Sequence, residues 1–259
     1  MAEVKIVLVE PAGELNIGSV ARIMKNMGLS QLILVNPQAD PTSDEAKKMA
    51  VHAADILAKA EIVESLPQAL EGCTRAIATT ARSRSLPLKL ESPRIALPWL
   101  LAENCQSALI FGPEERGLSN VELNYAQRFV AIPANPVYPS LNLAQAVAIC
   151  AYELYQIGLE AENINLEEQT ELDNCLGEKG RKPEPEAQLI ATIDNLERYY
   201  LQLTELLLKI GYLYPHTSQA RMEKLRRLYN RANLTAEELS MLQGMLRQIN
   251  WAIENLNKL

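Results

Sequence analysis

Val4-Lys-Ile-Val-Leu-Val9 is the stretch on which the fold turns. It is an aliphatic, largely β-branched run of strand length, stopped by Glu10. Such a run with little polar alternation suits an interior strand buried on both faces of a parallel sheet. A loop containing Gly13, Asn16 and Gly18 follows, then a helical pattern over residues 19–27, with Gly28 just past its end. Working outward, Leu32–Val35 and residues 62–63, 76–79, 108–111 and 129–132 read as further strands. Residues 43–59, with Ser43 as N-cap, and 66–71 read as helices between them. Strands alternating with helices predict βαβ units and a largely parallel sheet: an α/β fold.

Residues 141–155 form a long helical pattern whose apolar positions nearly circle the axis, so this helix is buried. Its cover is either the core or a second copy of the chain, and the second copy is the reading preferred here. Residues 160–187 (EAENINLEEQTELDNCLGEKGRKPEPEA) are acidic, polar and interrupted by Gly and Pro, which predicts a flexible linker. Residues 189–210, 217–231 and 235–256 carry helical spacing, the last opened by Thr235-Ala-Glu-Glu238, a capping-box pattern. The expected organisation is therefore an α/β domain over 1–159, a linker over 160–187, and a small all-α domain over 188–259.

The 259 residues carry a formal net charge of -7, which at first disfavours a nucleic-acid partner. The charge is unevenly placed. Residues 1–159 sum to -3, 160–187 to -6 and 188–259 to +2. Binding responds to the local field, so the C-terminal unit remains open to a phosphate-rich partner. No apolar run approaches the ~20 residues needed to span a bilayer, and the first residues lack a signal-peptide pattern. A cytoplasmic protein without a membrane partner is expected. Cys73, Cys105, Cys150 and Cys175 form no C-x-x-C pair, and His52 and His216 stand alone. Metal and thiol chemistry are accordingly not expected.

Two common nucleotide grips fail. Gly13-Glu-Leu-Asn-Ile-Gly18-Ser19 has P-loop glycine spacing without the lysine, and no G-x-G-x-x-G follows the first strand. Three other loops each follow an apolar strand: Asn16-Ile-Gly-Ser-Val-Ala-Arg22, Phe111-Gly-Pro-Glu-Glu-Arg-Gly-Leu118, and Ile132-Pro-Ala-Asn-Pro-Val-Tyr-Pro-Ser-Leu-Asn-Leu-Ala144. Ligands of open α/β sheets bind at the carboxyl ends of strands, where these loops begin.

In this order the three loops resemble motifs one, two and three of the SpoU branch of the SPOUT RNA 2′-O-methyltransferases. The likeness extends to Thr79-Thr-Ala-Arg-Ser-Arg84 and to Lys224-Leu-Arg-Arg-Leu-Tyr-Asn-Arg-Ala232, and points to the members that modify nucleotide 32 of the tRNA anticodon loop. The resemblance implies a trefoil knot at the C-terminal side of the catalytic domain, a homodimer, and S-adenosylmethionine as methyl donor to the ribose 2′-OH of cytidine or uridine. By position in the motifs, Thr79, Thr80, Ala81, Gly112, Ile132, Pro139, Ser140 and Leu141 are the expected cofactor contacts. Pro139 stands where relatives have a small polar residue, so its contact would be through the backbone. Arg22 and Ser140 fall on the family's catalytic arginine and serine. Asn16 is a third catalytic candidate.

A ribose hydroxyl is a poor nucleophile, so the reaction needs alignment with the methyl group and a destination for the proton. A guanidinium stays protonated at neutral pH, so Arg22 is expected to steady the developing alkoxide rather than to act as base. Asn16 serves either its own loop or the substrate. Glu115 and Arg116 are expected to pair at the rim, and Ser140 and Asn142 to cap the long helix. The expected RNA contacts are Arg82 and Arg84 beside the cofactor loop, and Arg221, Lys224, Arg226, Arg227 and Arg231 in the tail. Two alternatives stand beside this reading: a SpoU enzyme acting on another tRNA position or on ribosomal RNA, and an RNA-binding protein without catalysis.

Overall fold

The protein is described by a computed structural model covering residues 4–80, 88–102, 105–174 and 189–256. Its α/β unit runs β1 (Val4–Val9), α1 (Glu14–Asn26), β2 (Leu32–Val35), α2 (Asp44–Ala50), α3 (Ala54–Ala58), β3 (Glu61–Val63), α4 (Leu66–Ala69), β4 (Arg75–Thr79), β5 (Leu90–Glu91), α5 (Pro93–Ala96), β6 (Ser107–Phe111), α6 (Asn120–Leu123), β7 (Arg128–Val130) and α7 (Leu143–Asn174). The helices α8 (Ile193–Lys209), α9 (Ser218–Ala232) and α10 (Ala236–Leu256) form the C-terminal unit.

All seven strands lie in one sheet of order β3-β2-β1-β6-β4-β7-β5, and every pairing is parallel. Strand alternation sorts the core into two layers. Ile6, Leu8, Leu32, Leu34, Ile77 and Leu109 face α1 and α7. Val7, Val9, Ile33, Val35, Ala76, Ala78 and Ile110 face the layer containing Leu66, Leu70 and Leu123. The central strands are buried on both faces, as their unbroken apolar runs require.

Four details depart from the sequence reading. The first helix begins at Glu14, so Asn16 and Gly18 are helical rather than part of a loop. Gly18 is there because α1 packs very closely on α2: an added Cβ would lie 2.3 Å from the Ala46 carbonyl oxygen. The pattern over 43–59 is interrupted at Val51, which takes the left-handed backbone (φ 52°) and separates α2 from α3, although Ser43 caps α2 through the Ala46 amide as expected. β5 is only two residues long, too short to leave a periodic signal. Finally, α7 continues to Asn174, fifteen residues into the stretch expected to be linker. Residues 160–174 hold neither Gly nor Pro, and their Glu, Gln and Leu are good helix formers. The remainder of that stretch, 175–187, lies outside the described residues.

Along α7, Leu143, Val147, Cys150, Ala151 and Leu154 are buried while Ile149 and Tyr152 are exposed, so one face packs on this chain's own core. Burial pushes the Cys150 thiol up to about 12, and burial raises Cys73 as well, which leaves both as apolar filler.

The C-terminal unit docks on the α/β unit through specific contacts. Ile193 is buried in the second core layer and its amide donates to the Cys73 carbonyl (2.8 Å). The Gly72 amide donates to Asp194, and the Asn230 side chain donates to the Asn124 carbonyl (3.1 Å) while accepting from the Tyr200 hydroxyl (2.7 Å). The capping box at the start of α10 is present, with Thr235 and Glu238 exchanging side-chain to amide bonds. Among the described residues, no helix is long and apolar enough to cross a membrane, and no cluster of His, Cys, Asp or Glu is arranged to hold a metal ion.

Candidate active site

A cleft opens at the carboxyl ends of β4, β6 and β7, where a ligand of an open α/β sheet is expected. Thr79 and Thr80 come from the end of β4, and Phe111, Gly112, Glu114, Arg116 and Gly117 from β6 and the loop after it. Val130 and Ile132 follow from β7, and Pro139, Ser140 and Leu141 from the approach to α7. Seven of the eight expected cofactor residues therefore share one cleft; the eighth, Ala81, lies outside the described residues.

Each wall has a local reason for its shape. The Thr79 hydroxyl donates to the Ile110 carbonyl and the Thr80 amide to the Val130 carbonyl, so the ends of β4, β6 and β7 are tied together. Gly112 permits the second loop to fold back on itself, because an added Cβ would lie 2.3 Å from the Leu118 amide nitrogen. Asn142 caps α7 by accepting from the Ala144 amide (2.8 Å), while its own amide donates to Gln145. Ser140 takes no part in that cap; it remains exposed at the cleft.

Asn16 links all three loops. Its Nδ2 donates to Glu114 Oε1 (2.7 Å), and its Oδ1 accepts from Asn142 Nδ2 (3.0 Å). Glu114 also accepts from the Ala12 and Gly13 amides. Glu114 is a central site residue that the sequence reading passed over in favour of its neighbour Glu115. The available signal was its place two residues after Gly112, on a loop that has to be anchored. Asn16 thus holds two neighbouring motifs instead of serving its own turn.

Arg116 departs from expectation too. It is bound by Glu10 (2.6 Å) and by both oxygens of Glu122 (2.9 Å). The hydrogen bonds it donates to Glu122 first, then to Glu10, raise its pKa further. Burial works against the Glu122 carboxylate, but the bonds from Arg116 and Ser119 outweigh it and leave its pKa below the ordinary value. Glu10 itself adopts the left-handed backbone (φ 47°) as β1 ends.

Arg22 is not in the cleft. It lies past the middle of α1 on the exposed face, more than two turns from Glu14. Among the described residues it has no hydrogen-bond or carboxylate partner. A single chain therefore brings Gly112 and Ser140 together, with Asn16 one contact away, and leaves Arg22 outside.

The basic tail splits in the same way. Arg226 is removed from the RNA-facing set: its guanidinium grips both oxygens of Glu197, with one contact at 2.6 Å, and lies over the Tyr200 and Tyr125 rings at 4.8 and 5.4 Å. A charge spent in that way is unavailable to a ligand. Lys224 and Arg231 are exposed, Arg227 lies 3.7 Å from Glu223, and Arg221 donates to the Tyr212 carbonyl at the exposed side. Arg82 and Arg84 lie outside the described residues.

Residues 3–152 match the model of the SpoU rRNA Methylase family, and residues 194–258 match that of the tRNA methyltransferase TrmJ, C-terminal domain. A curated tRNA (cytidine/uridine-2′-O-)-methyltransferase TrmJ of Pectobacterium atrosepticum is 43% identical over 95% of this chain and 96% of its own length. The Escherichia coli K12 protein of the same name is 41% identical over 96% of each chain. Among solved structures, TrmJ from Z. mobilis ZM4 aligns with a TM-score of 0.79 at 29% identity, covering 96% of this chain and all of that one. A probable methylase family protein from Haemophilus influenzae aligns at 0.59 and 35% identity, over 99% of this chain and all of its own. With one family model over the α/β unit, a second over the C-terminal helices, and kinship that spans both, the chain belongs to the SpoU methylase family and is a methyltransferase.

Proposed function

We propose that the protein methylates the ribose 2′-OH of nucleotide 32, a cytidine or uridine, in the tRNA anticodon loop, with S-adenosylmethionine as donor in the cleft. The carrying observation is the convergence of Thr79, Thr80, Gly112, Ile132, Pro139, Ser140 and Leu141, from four separate chain segments, on that one cleft. The lining suits the donor's chemistry. Phe111, Val130, Ile132, Leu141 and Leu143 offer apolar surface to an adenosine, and the exposed Ser140 hydroxyl adds a polar group beside it. When bound, S-adenosylmethionine supplies an electrophilic methyl carbon on a sulfonium, whose sulfur keeps the bonding pair as the methyl leaves. The trefoil knot of the family belongs to the same reading.

The chain's own residues then have separable tasks. The Gly112 and Leu141 backbones and the tied ends of β4, β6 and β7 fix the donor against rotation. Ser140, exposed at the cleft, orients the incoming ribose. Asn16 and Glu114 hold the first and second loops in register with the third. Arg22 steadies the negative charge that grows on the 2′-oxygen while the proton leaves to phosphate or water. Because Arg22 is exposed and does not line its own cleft, we assign that role across a homodimer, with each Arg22 serving the partner's cleft. The match of residues 194–258 to the TrmJ C-terminal domain favours tRNA over ribosomal RNA as substrate.

The test is transfer of label from S-adenosylmethionine to tRNA by the full chain and by Arg22→Ala. Arg22 is exposed and unpartnered among the described residues, so its loss leaves stability within about 0.5 kcal/mol. Transfer is expected to fall by about two orders of magnitude, in the range of losing one charge-stabilising donor. An Arg22→Ala protein that transfers at the parent rate removes Arg22 from the reaction.

A further inference from the structure

Val137 and Tyr138 are the most exposed of the described large hydrophobic side chains, at 91% and 78%. They belong to the third loop and immediately precede Pro139, Ser140 and Leu141 of the cleft, yet neither lines the cleft itself. Two residues of extended chain span at most about 7 Å. The Tyr138 and Ser140 backbones therefore lie within that reach of each other, with the tyrosine at the mouth and outside the donor's space. The ring is largely in water, so burial within this chain does not account for it.

Its mount is rigid. Residues 135–138 form a turn in which the Tyr138 amide donates to the Asn135 carbonyl (2.9 Å) and the Val137 amide donates to Asn135 Oδ1 (2.9 Å). Asparagine at the first position and proline at the second are residues that such a turn favours. Pro136 and Pro139 fix the backbone on either side of the exposed pair. A tyrosine held in this way has two side-chain torsions left to order, so it offers a flat apolar face at small entropic cost.

The inference rests on the function proposed above, in which the target is a nucleotide of a single-stranded loop. Its base hangs from the sugar carbon next to the one that bears the 2′-oxygen, so a ribose held at Ser140 leaves its base at the mouth of the cleft. Turning that base out of its own stack costs free energy, which an aromatic side chain offsets by taking the base up. We propose that Tyr138 is that partner: its ring stacks on the base of the nucleotide being methylated, while Ser140 orients the ribose. Stacking engages the face of a base and leaves its hydrogen-bonding edge unread. Tyr138 is thus the residue through which one cleft accepts cytidine and uridine alike.

The experiment compares the full chain with Tyr138→Ala and Tyr138→Phe on two tRNA transcripts that differ only in cytidine or uridine at nucleotide 32. Tyr138→Ala is expected to lower kcat/KM for both transcripts by about 5- to 150-fold, the range of one stacked base. Tyr138→Phe keeps the ring and is expected to recover most of that loss. The ring is exposed and outside the cleft, so S-adenosylmethionine affinity, thermal midpoint and mass in solution are expected to stay at their parent values. A Tyr138→Phe protein as impaired as Tyr138→Ala overturns the stack, because the hydroxyl then acts and not the ring. A loss confined to one transcript shows edge reading, weakened donor binding shows a wall of the cleft, and a smaller mass shows a contact between copies; each overturns it. A parent that leaves both transcripts unmethylated overturns the function reading and this inference with it. A methylating parent matched by Tyr138→Ala overturns this inference alone.

Discussion

Glu114 takes part in more of the cleft than any other carboxylate described here, receiving Asn16 and the Ala12 and Gly13 amides at once. All three partners are donors, so a charged acceptor is required. Glu114→Gln would turn an amide NH₂ toward one of them. The expected result is a loss of about 1–3 kcal/mol in unfolding free energy, with the KM for the methyl donor rising more than kcat falls; denaturant melts and initial rates check it. An unchanged KM would show that the link between the first two loops does not shape the cleft. Glu114 was hard to see in the sequence because its partners lie about a hundred residues away. Its place two residues after Gly112 marks a loop that has to be anchored, but not which distant donors the carboxylate will accept from.

At the scale of elements, α1 teaches most. A glycine and an asparagine within seven residues read as a loop, yet the chain is helical from Glu14. The cost of a glycine inside a helix, roughly 1 kcal/mol, is offset by packing that a side chain would forbid. Gly18→Ala puts a methyl group 2.3 Å from the Ala46 carbonyl oxygen. Better intrinsic helix propensity notwithstanding, it is expected to destabilise the protein by about 1–3 kcal/mol through overpacking, seen as a lower thermal midpoint. A stabilised Gly18→Ala protein would mean that α1 and α2 are not so close. The strands were legible for the opposite reason: an interior parallel strand carries its burial in its own composition, as Val4–Val9 and Ser107–Phe111 do. The two residues of β5 carry no such record, and its pairing depends on β7. The acidic start of the expected linker misled because charge was read as disorder, where helix propensity without Gly or Pro extended α7.

At the scale of the whole molecule, the two units are one packed body at Ile193, Asp194 and Asn230, although composition shows only a boundary between them. Ile193 is 4% exposed and completes a core layer built from residues more than sixty positions earlier. Ile193→Ala is expected to cost about 2–5 kcal/mol and to expose the junction to limited proteolysis, with the α/β unit retaining its strands by circular dichroism. Unaltered proteolysis would show that the docking does not depend on this contact. That seven of the cofactor candidates would share one cleft was legible because motif order survives in the chain; the fate of Arg226 was not, because Glu197 and Tyr125 reach it only through tertiary structure. The position of Arg22 outside its own cleft is likewise a property of the folded chain, and it makes pairing of two chains part of the mechanism proposed.

Ribose methylation at one nucleotide has a direct chemical signature: a methylated 2′-oxygen protects its own phosphodiester from alkali because that oxygen can no longer attack the phosphorus. Treating tRNA with the protein and S-adenosylmethionine, then cleaving it in alkali and sequencing the fragments, reads this directly. One new resistant linkage, 3′ of nucleotide 32, is the predicted result. Label found in a base, or methylated tRNA with every linkage still cleaved, would contradict it.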